Sequence, residues 1–205
     1  RYTGGELNSI VKDKSKVDIR YAFCFPDTYE IGMSHLGMKI LYSLVNARED
    51  AWCERVFAPW VDMEEVMREN NIPLYALESG DAIKDFDILG FTMQYELSYT
   101  NVLNMLDLAG LPVRSKDRTS LTPIVIAGGA CVCNSEPMAE FFDITLPGDG
   151  EEVTNELIDL LKEYKAKGAT KEEFLVAAAQ IKGVYVPSLY EVEYNDDCTV
   201  KSITP

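Results

Sequence analysis

Short apolar segments alternate with loops and helix-like patterns along the first 170 residues. The segments are rich in β-branched and aromatic residues and end abruptly at Pro, Gly or Asp, which is typical of buried strands. The predicted strands are Val17–Phe25, Ala51–Ala58, Phe86–Met93, Pro123–Ala127 and Ile144–Leu146. A loop is predicted to follow the first strand, from Pro26 to Gly32.

Apolar residues between these strands recur at helical spacing. One helix is predicted to begin near Ser34, and a capping-box pattern at Asp62-x-x-Glu65 predicts another through about Asn70. The helix striped by Val102 and Leu106 is expected to end at Gly110. The last two helices are predicted after Gly150 and, from the capping box Thr170-x-x-Glu173, through about Gln180.

Strands that alternate with helices predict an α/β fold, namely a flavodoxin-like or Rossmann-like three-layer sandwich with a five-stranded parallel sheet. Alternation in Tyr190–Tyr194 and again in Thr199–Ile203 adds a C-terminal β-hairpin. We therefore expect an α/β domain over residues 1–168, followed by a short helix and hairpin over residues 169–205.

Composition excludes several classes of protein. The chain has 205 residues, 47% of them hydrophobic and 26% charged, as in ordinary globular domains. Its net charge of −15 disfavours direct binding to nucleic acid or to anionic membranes. Neither a membrane span nor a signal peptide is predicted, so the expected location is cytoplasmic.

The five cysteines are Cys24, Cys53, Cys131, Cys133 and Cys198. Their number is odd and only one C-x-C pair is close in sequence, which fits neither a disulfide framework nor a zinc or iron–sulfur site. No metal-binding residues are predicted in this chain.

Two glycine-rich turns follow the fourth and fifth strands. They contain Gly128-Gly129 and Gly148-Asp149-Gly150-Glu151, and ligands of such sheets bind at the carboxyl ends of the strands. The turns therefore predict a ligand-binding edge, although tight turning alone would also use glycine. Neither turn matches a dinucleotide or P-loop phosphate motif.

The first loop offers polar groups whose role stays open. Asp27 could be a turn former, and His35, the single histidine, could be a packing residue rather than a ligand. A weaker hypothesis is that the chain is a hydrolase that uses Asp27 and Glu30. No catalytic residue is assigned.

Assembled, these segments resemble the N-terminal domain of cobalamin-binding-type radical S-adenosylmethionine proteins, a family often labelled Fe–S oxidoreductases. The resemblance covers nearly the whole chain. The segments on which the resemblance rests are Arg1–Glu6, Phe25–Gly37, Glu54–Trp60, Gly90–Asn101, Gly128–Pro137 and Gly148–Glu152.

The resemblance implies that a corrin cofactor lies at the predicted edge. The implied cofactor-binding residues are Asp27, Tyr29, Gly32, Ser34, His35, Thr92, Met93, Gln94, Gly128, Gly129, Gly148, Gly150 and Glu151. The variant of this fold that ligates cobalt carries D-x-H-x-x-G, whereas this chain has Tyr29 in place of the imidazole. A phenol is a poor cobalt ligand at neutral pH, so any bound cobalamin is expected to lack a protein imidazole unless His35 supplies it.

The chain has no C-x-x-x-C-x-x-C motif, which the resemblance requires for a 4Fe–4S cluster that cleaves S-adenosylmethionine. That cluster and S-adenosylmethionine are expected in a radical domain outside this segment, because the chain starts without methionine and is expected to be a piece of a longer polypeptide. Two functions remain: a cobalamin-type module that serves the radical domain of the same polypeptide, or a degenerate, cobalamin-free domain that acts as an interaction or substrate-docking platform.

Overall fold

A computed structural model describes all residues from Arg1 to Pro205. Its central element is a five-stranded sheet with all strands parallel, in the order β2-β1-β3-β4-β5. The strands are β1 (Ile19–Phe25), β2 (Ala51–Phe57), β3 (Ile88–Thr92), β4 (Ile124–Gly128) and β5 (Ile144–Leu146). All five predicted strands are confirmed, with ends shifted by up to two residues.

Helices cover both faces of the sheet. They are α1 (Tyr29–Gly32), α2 (Leu36–Asn46), α3 (Val61–Glu69), α4 (Tyr99–Leu108), α5 (Gly150–Lys167) and α6 (Lys171–Ala178). Buried residues of α2, α5 and α6 belong to one apolar cluster, and those of α3 and α4 belong to the other. The predicted three-layer α/β fold is confirmed.

Strand β1 shows why the sheet needs two covering layers. Tyr21, Phe23 and Phe25 face the α2/α5 cluster, while Ala22 and Cys24 face the α3/α4 cluster. A parallel strand buried on both faces must be apolar at successive positions, which is the continuous pattern found in the sequence.

Two local predictions are wrong. The segment predicted as a loop after β1 contains the helical turn α1, whose Gly32 packs against Phe57. Helix α3 begins two residues earlier than predicted, with Trp60 rather than Asp62 at its N-cap, so Asp62 lies inside the first turn. There its side chain accepts hydrogen bonds from the Met63 amide and the Tyr2 hydroxyl and does not act as a cap.

The C-terminal elements form as predicted. The capping box of α6 is present, with the Thr170 hydroxyl accepting from the Glu173 amide at 3.2 Å. The hairpin consists of β6 (Glu191–Tyr194) and β7 (Val200–Thr204), paired antiparallel as a separate two-stranded sheet. No helix combines the length and the apolar character that crossing a membrane would require.

A buried ionic cluster connects α6 to the sheet. Asp143, 1% exposed before β5, accepts hydrogen bonds from Lys171 at 2.7 Å, Arg118 at 3.1 Å and the Val125 amide at 2.7 Å. The Ser115 hydroxyl also donates to this carboxylate. Burial lowers the pKa of Lys171, and Asp143 partly offsets that effect.

We predict that Asp143→Asn lowers the free energy of unfolding by about 3 to 5 kcal/mol, because it leaves two buried cations without an anion. The matched control is Glu140→Gln, which breaks an exposed pair with Arg114 and should cost less than about 1 kcal/mol. Guanidinium unfolding monitored by circular dichroism gives both values. Equal losses for the two variants would contradict the role of the cluster.

Candidate functional site

The strand order places a crevice at the carboxyl edge of the sheet. The chain leaves β1 toward β2 on one side and then crosses to β3 on the other, so strands β1 and β3 flank the topological switch point. A cleft of about 210 Å³ opens beside it, on the face covered by α2 and α5. Its lining includes Tyr21, Phe23, His35, Gly37, Ile40, Leu41, Gly90, Phe91, Thr92, Gln94, Ile126, Gly128, Gly129, Leu146, Gly148, Asp149, Gly150, Glu151 and Thr154.

The glycines at the rim of the cleft differ in what they do. A Cβ atom added at Gly128 or Gly148 would meet no atom within 4 Å, so these two positions expose bare backbone to open space. At Gly129, φ is +103° and an added Cβ would lie 2.7 Å from the Met93 carbonyl oxygen. Gly129 is therefore required by the turn, whereas Gly128 and Gly148 leave the rim free of side chains.

His35 lies at the cleft but is engaged as a helix cap. Its Nδ1 accepts a hydrogen bond from the Met38 amide at 3.2 Å, and its ring packs 5.3 Å from that of Phe25. In the neutral ring the proton must then be on Nε2, which can donate toward the cleft but has no free lone pair. As long as the cap forms, His35 cannot ligate a metal.

Two polar side chains follow β3 at the cleft. The Gln94 amide nitrogen donates to Thr92 Oγ1 at 2.5 Å, and both residues line the cleft. Met93 between them is buried on the opposite face, in the α3/α4 cluster. Its backbone holds the edge together, because its amide donates to the Gly128 carbonyl at 2.7 Å.

The remaining predicted residues of the first loop lie elsewhere. Tyr29 packs edge-on against Phe57 with ring centroids 5.5 Å apart, and a Cβ on Gly32 would lie 2.2 Å from the Phe57 ring. Ser34 is exposed and donates to the Ile31 carbonyl at 2.7 Å. None of these residues lines the cleft.

Asp27 also lies outside the cleft, where it accepts hydrogen bonds from the Thr28 amide and the Tyr95 hydroxyl. Burial, together with this contact to Asp27, raises the pKa of Tyr95 to about 12. Glu30 pairs with Arg1 at 2.5 Å. Asp27 and Glu30, the two carboxylates of the hydrolase hypothesis, thus have structural partners, and neither lines the cleft.

The charge of the cleft is negative. Asp149 and Glu151 stand at the start of α5, where carboxylates are stabilised by the helix dipole, and no lysine or arginine is among the lining residues. This set favours neutral or cationic ligands over nucleotides. No group of three or more His, Cys, Asp and Glu side chains is arranged to hold a metal ion, and all five cysteines are free.

Eight of the thirteen predicted residues are thus brought together at one cleft, namely His35, Thr92, Gln94, Gly128, Gly129, Gly148, Gly150 and Glu151. The sequence interpretation missed the interior of the cleft, including Tyr21, Gly90 and Thr154. These residues lie within a strand or a helix, where sequence patterns indicate only core packing.

The strand order and the glycine rim define a doubly wound α/β domain with a cleft at its carboxyl edge. Residues 37–187 match the family model of the N-terminal domain of radical SAM proteins. The match covers well over half of the chain, which therefore belongs to this family of radical S-adenosylmethionine protein N-terminal domains.

An uncharacterised protein of Methanocaldococcus jannaschii is similar to this chain, with 26% identity over 176 residues. The similarity covers 84% of this chain but 33% of that relative, so the chain spans about a third of the length of the relative.

We predict that Gly129→Ala lowers the free energy of unfolding by about 1 to 3 kcal/mol, because alanine is strained at this positive φ and crowds the Met93 carbonyl. Gly128→Ala, one residue away, should change it by less than about 0.5 kcal/mol, because the added Cβ meets only open space. Urea unfolding of both variants measures the difference. If Gly128→Ala were the more damaging substitution, the assignment of the two glycines would be reversed.

Proposed function

We propose that this domain binds a cobalamin-type cofactor at the carboxyl edge of its sheet and serves a radical S-adenosylmethionine domain of the same protein. The observation that carries the proposal is the bare rim at Gly128 and Gly148, beside a cleft at the switch point of the sheet. A large planar ligand can approach backbone closely only where side chains are absent.

The size and the charge of the cleft are compatible with this cofactor. At about 210 Å³ the cleft is smaller than the roughly 300–1,000 Å³ of pockets that enclose a drug-sized ligand, so a macrocycle would have to rest on the rim outside it. The absence of lysine and arginine suits a ligand without a strong net negative charge. Amide side groups of the corrin could bond with the exposed backbone of the rim, with Gln94 and with the Nε2 proton of His35.

The residues present do not supply an imidazole to cobalt. Tyr29 packs against Phe57 rather than facing the cleft. His35 Nδ1 accepts the hydrogen bond that caps α2, whereas binding of a metal at Nε2 would require the ring proton to be on Nδ1. When bound, cobalamin supplies a cobalt centre for methyl-transfer or radical chemistry. The contribution of this chain would be to bind and orient the cofactor without supplying an imidazole ligand to cobalt.

The proposed partner is the radical domain of the full protein, which would carry the 4Fe–4S cluster and S-adenosylmethionine. Membership in the N-terminal domain family and the greater length of the Methanocaldococcus jannaschii relative support it. A C-x-x-x-C-x-x-C motif elsewhere in the full coding sequence is the signature that this proposal requires.

A second candidate function is a cobalamin-free docking platform. It is favoured by exposed apolar side chains in the segments that follow β1 and β3: Leu36 is 68% exposed, Ile40, which lines the cleft, 43% and Leu97 87%. Apolar side chains grouped at one edge are typical of protein contacts. The two functions differ in whether the glycine rim is needed for a ligand.

We predict that the chain retains hydroxocobalamin at micromolar concentration after desalting, as measured by its visible absorbance. Gly128→Phe should abolish retention because its ring occupies the open rim, whereas Gly128→Ala should retain most of it. Circular dichroism checks that both variants are folded. Loss of all corrin from the unmodified chain would overturn the proposal and leave the docking function.

We further predict that His35→Asn does not change the visible spectrum of the bound cofactor. Asparagine is a good N-cap and keeps α2 intact, but it lacks an imidazole. A spectral change of the kind seen when cobalt loses a nitrogen ligand would show that His35 coordinates cobalt and that the cap opens on binding.

A further inference from the structure

The C-terminal hairpin has one apolar face and one polar face. Residues that are paired across antiparallel strands lie on the same face of the sheet. The apolar face is made of two such pairs, Val192 with Ile203 and Tyr194 with Val200. The polar face is made of two others, Glu191 with Thr204 and Glu193 with Ser202. Antiparallel sheets with this alternation commonly pack the apolar face on a core and leave the polar face in water.

The apolar face of the hairpin is largely uncovered. The exposed fractions are 59% for Tyr194, 43% for Val200 and 42% for Ile203. No residue of the hairpin belongs to either apolar cluster of the α/β domain or packs against one. The hairpin therefore has an apolar face but no core of its own to bury it in.

Polar contacts do not tie the hairpin to the domain either. Every hydrogen bond and ion pair of residues 191–204 lies within the hairpin itself, such as the pair of Lys201 with Glu193 at 3.1 Å. A two-stranded hairpin alone is only marginally stable in water and needs a third strand or a packing partner. This hairpin has neither within the chain.

A groove of about 1040 Å³ separates the hairpin from the domain. Val192 and Tyr194 line it on the hairpin side, and Pro137, Phe141 and Leu175 line it on the domain side. Charged side chains of both signs stand beside these apolar residues, as in the polar rim of a protein interface. One structural element that enters the groove could cover apolar residues on both walls.

The place of the hairpin in the polypeptide indicates what covers it. The family model of the N-terminal domain matches residues 37–187, and the hairpin begins at Glu191, directly after that match. The similarity to the Methanocaldococcus jannaschii protein covers only 33% of that relative. Because consecutive elements of a chain are usually adjacent in space, the radical domain proposed above is the occupant that the chain order favours.

We infer that the apolar face of the C-terminal hairpin is an interdomain contact, covered in the full protein by the radical S-adenosylmethionine domain of the same polypeptide. The inference rests on the proposed function for the existence of that domain but does not depend on cobalamin. No hairpin residue lines the cleft, so this contact is separate from the proposed cofactor edge. The hairpin gains its stability from the domain that it contacts.

Amide hydrogen exchange of residues 191–204 tests the inference by comparing the 205-residue chain with the full polypeptide. In the chain these amides should exchange with little protection, because a hairpin without a packing partner opens readily. In the full polypeptide their exchange should be at least about tenfold slower. Equal exchange in the two proteins would overturn the inference.

Two variants of the full polypeptide show which face is covered. Ile203→Lys and Thr204→Lys introduce the same side chain at neighbouring positions on opposite faces. At Ile203 the ammonium group would be buried in the apolar contact, whereas at Thr204 it lies on the polar face opposite Glu191. Ile203→Lys should return the hairpin to fast exchange, and Thr204→Lys should leave it protected. The same result for both variants, fast or slow, would contradict the assignment of the apolar face.

The 205-residue chain serves as the control for folding. Both variants should keep its melting temperature within about 1 °C, because the two residues are exposed and lie outside the apolar clusters. A larger fall for Ile203→Lys would show that the face packs within this chain, which would overturn the inference. Protection of the hairpin that grows with the concentration of the chain would also do so, since a second copy would then cover the face.

Hydroxocobalamin separates this inference from the proposed function. If the cofactor is not retained, but the hairpin is protected in the full polypeptide and only Ile203→Lys exposes it, the cofactor proposal fails and the interdomain contact stands. If the cofactor is retained while the hairpin exchanges equally fast in the chain and in the full polypeptide, the contact is overturned and the cofactor proposal stands.

Discussion

The need to bury both faces of a parallel sheet determines where this molecule can bind anything. Strands β1, β3 and β4 are apolar at successive positions, so helices must lie on each side, and the chain enters α1, α3, α4 and α5 from the carboxyl edge of a strand. Helices α2 and α5 cover one face but begin at that edge, and the space between their first turns and the strands is the cleft. The cleft is thus a consequence of the strand order, and the turns above it decide whether a ligand can enter.

Glycine is used at this edge for three different physical reasons. Gly128 and Gly148 have open space around them and keep the rim bare. Gly129 adopts a positive φ that the turn requires, while Gly90 makes room for the Tyr21 side chain. Only the first use leaves backbone open to a ligand, whereas the last makes room for a side chain of the protein itself. A motif that records glycine alone does not distinguish among these uses.

The fold was predicted well from the sequence because the spacing of apolar residues indicates which positions are buried, and a parallel sheet requires burial on both faces. The sequence also predicted the glycine rim, since turns after parallel strands meet at one edge. It was wrong about Asp62, whose spacing to Glu65 resembles a capping box although the N-cap is Trp60, two residues earlier. The placement of Tyr29 against Phe57, and that of the Tyr21 side chain across Gly90, depend on tertiary contacts that no spacing along the chain records.

The central claim is that a corrin cofactor binds at the glycine rim and not at the first loop. Amide hydrogen exchange with and without hydroxocobalamin tests it most directly, because exchange reports protection segment by segment. The account predicts slower exchange in the turns at residues 128–131 and 148–151 and unchanged exchange in the turn at residues 29–32. Protection of residues 29–32 with no change at the two glycine turns would contradict it.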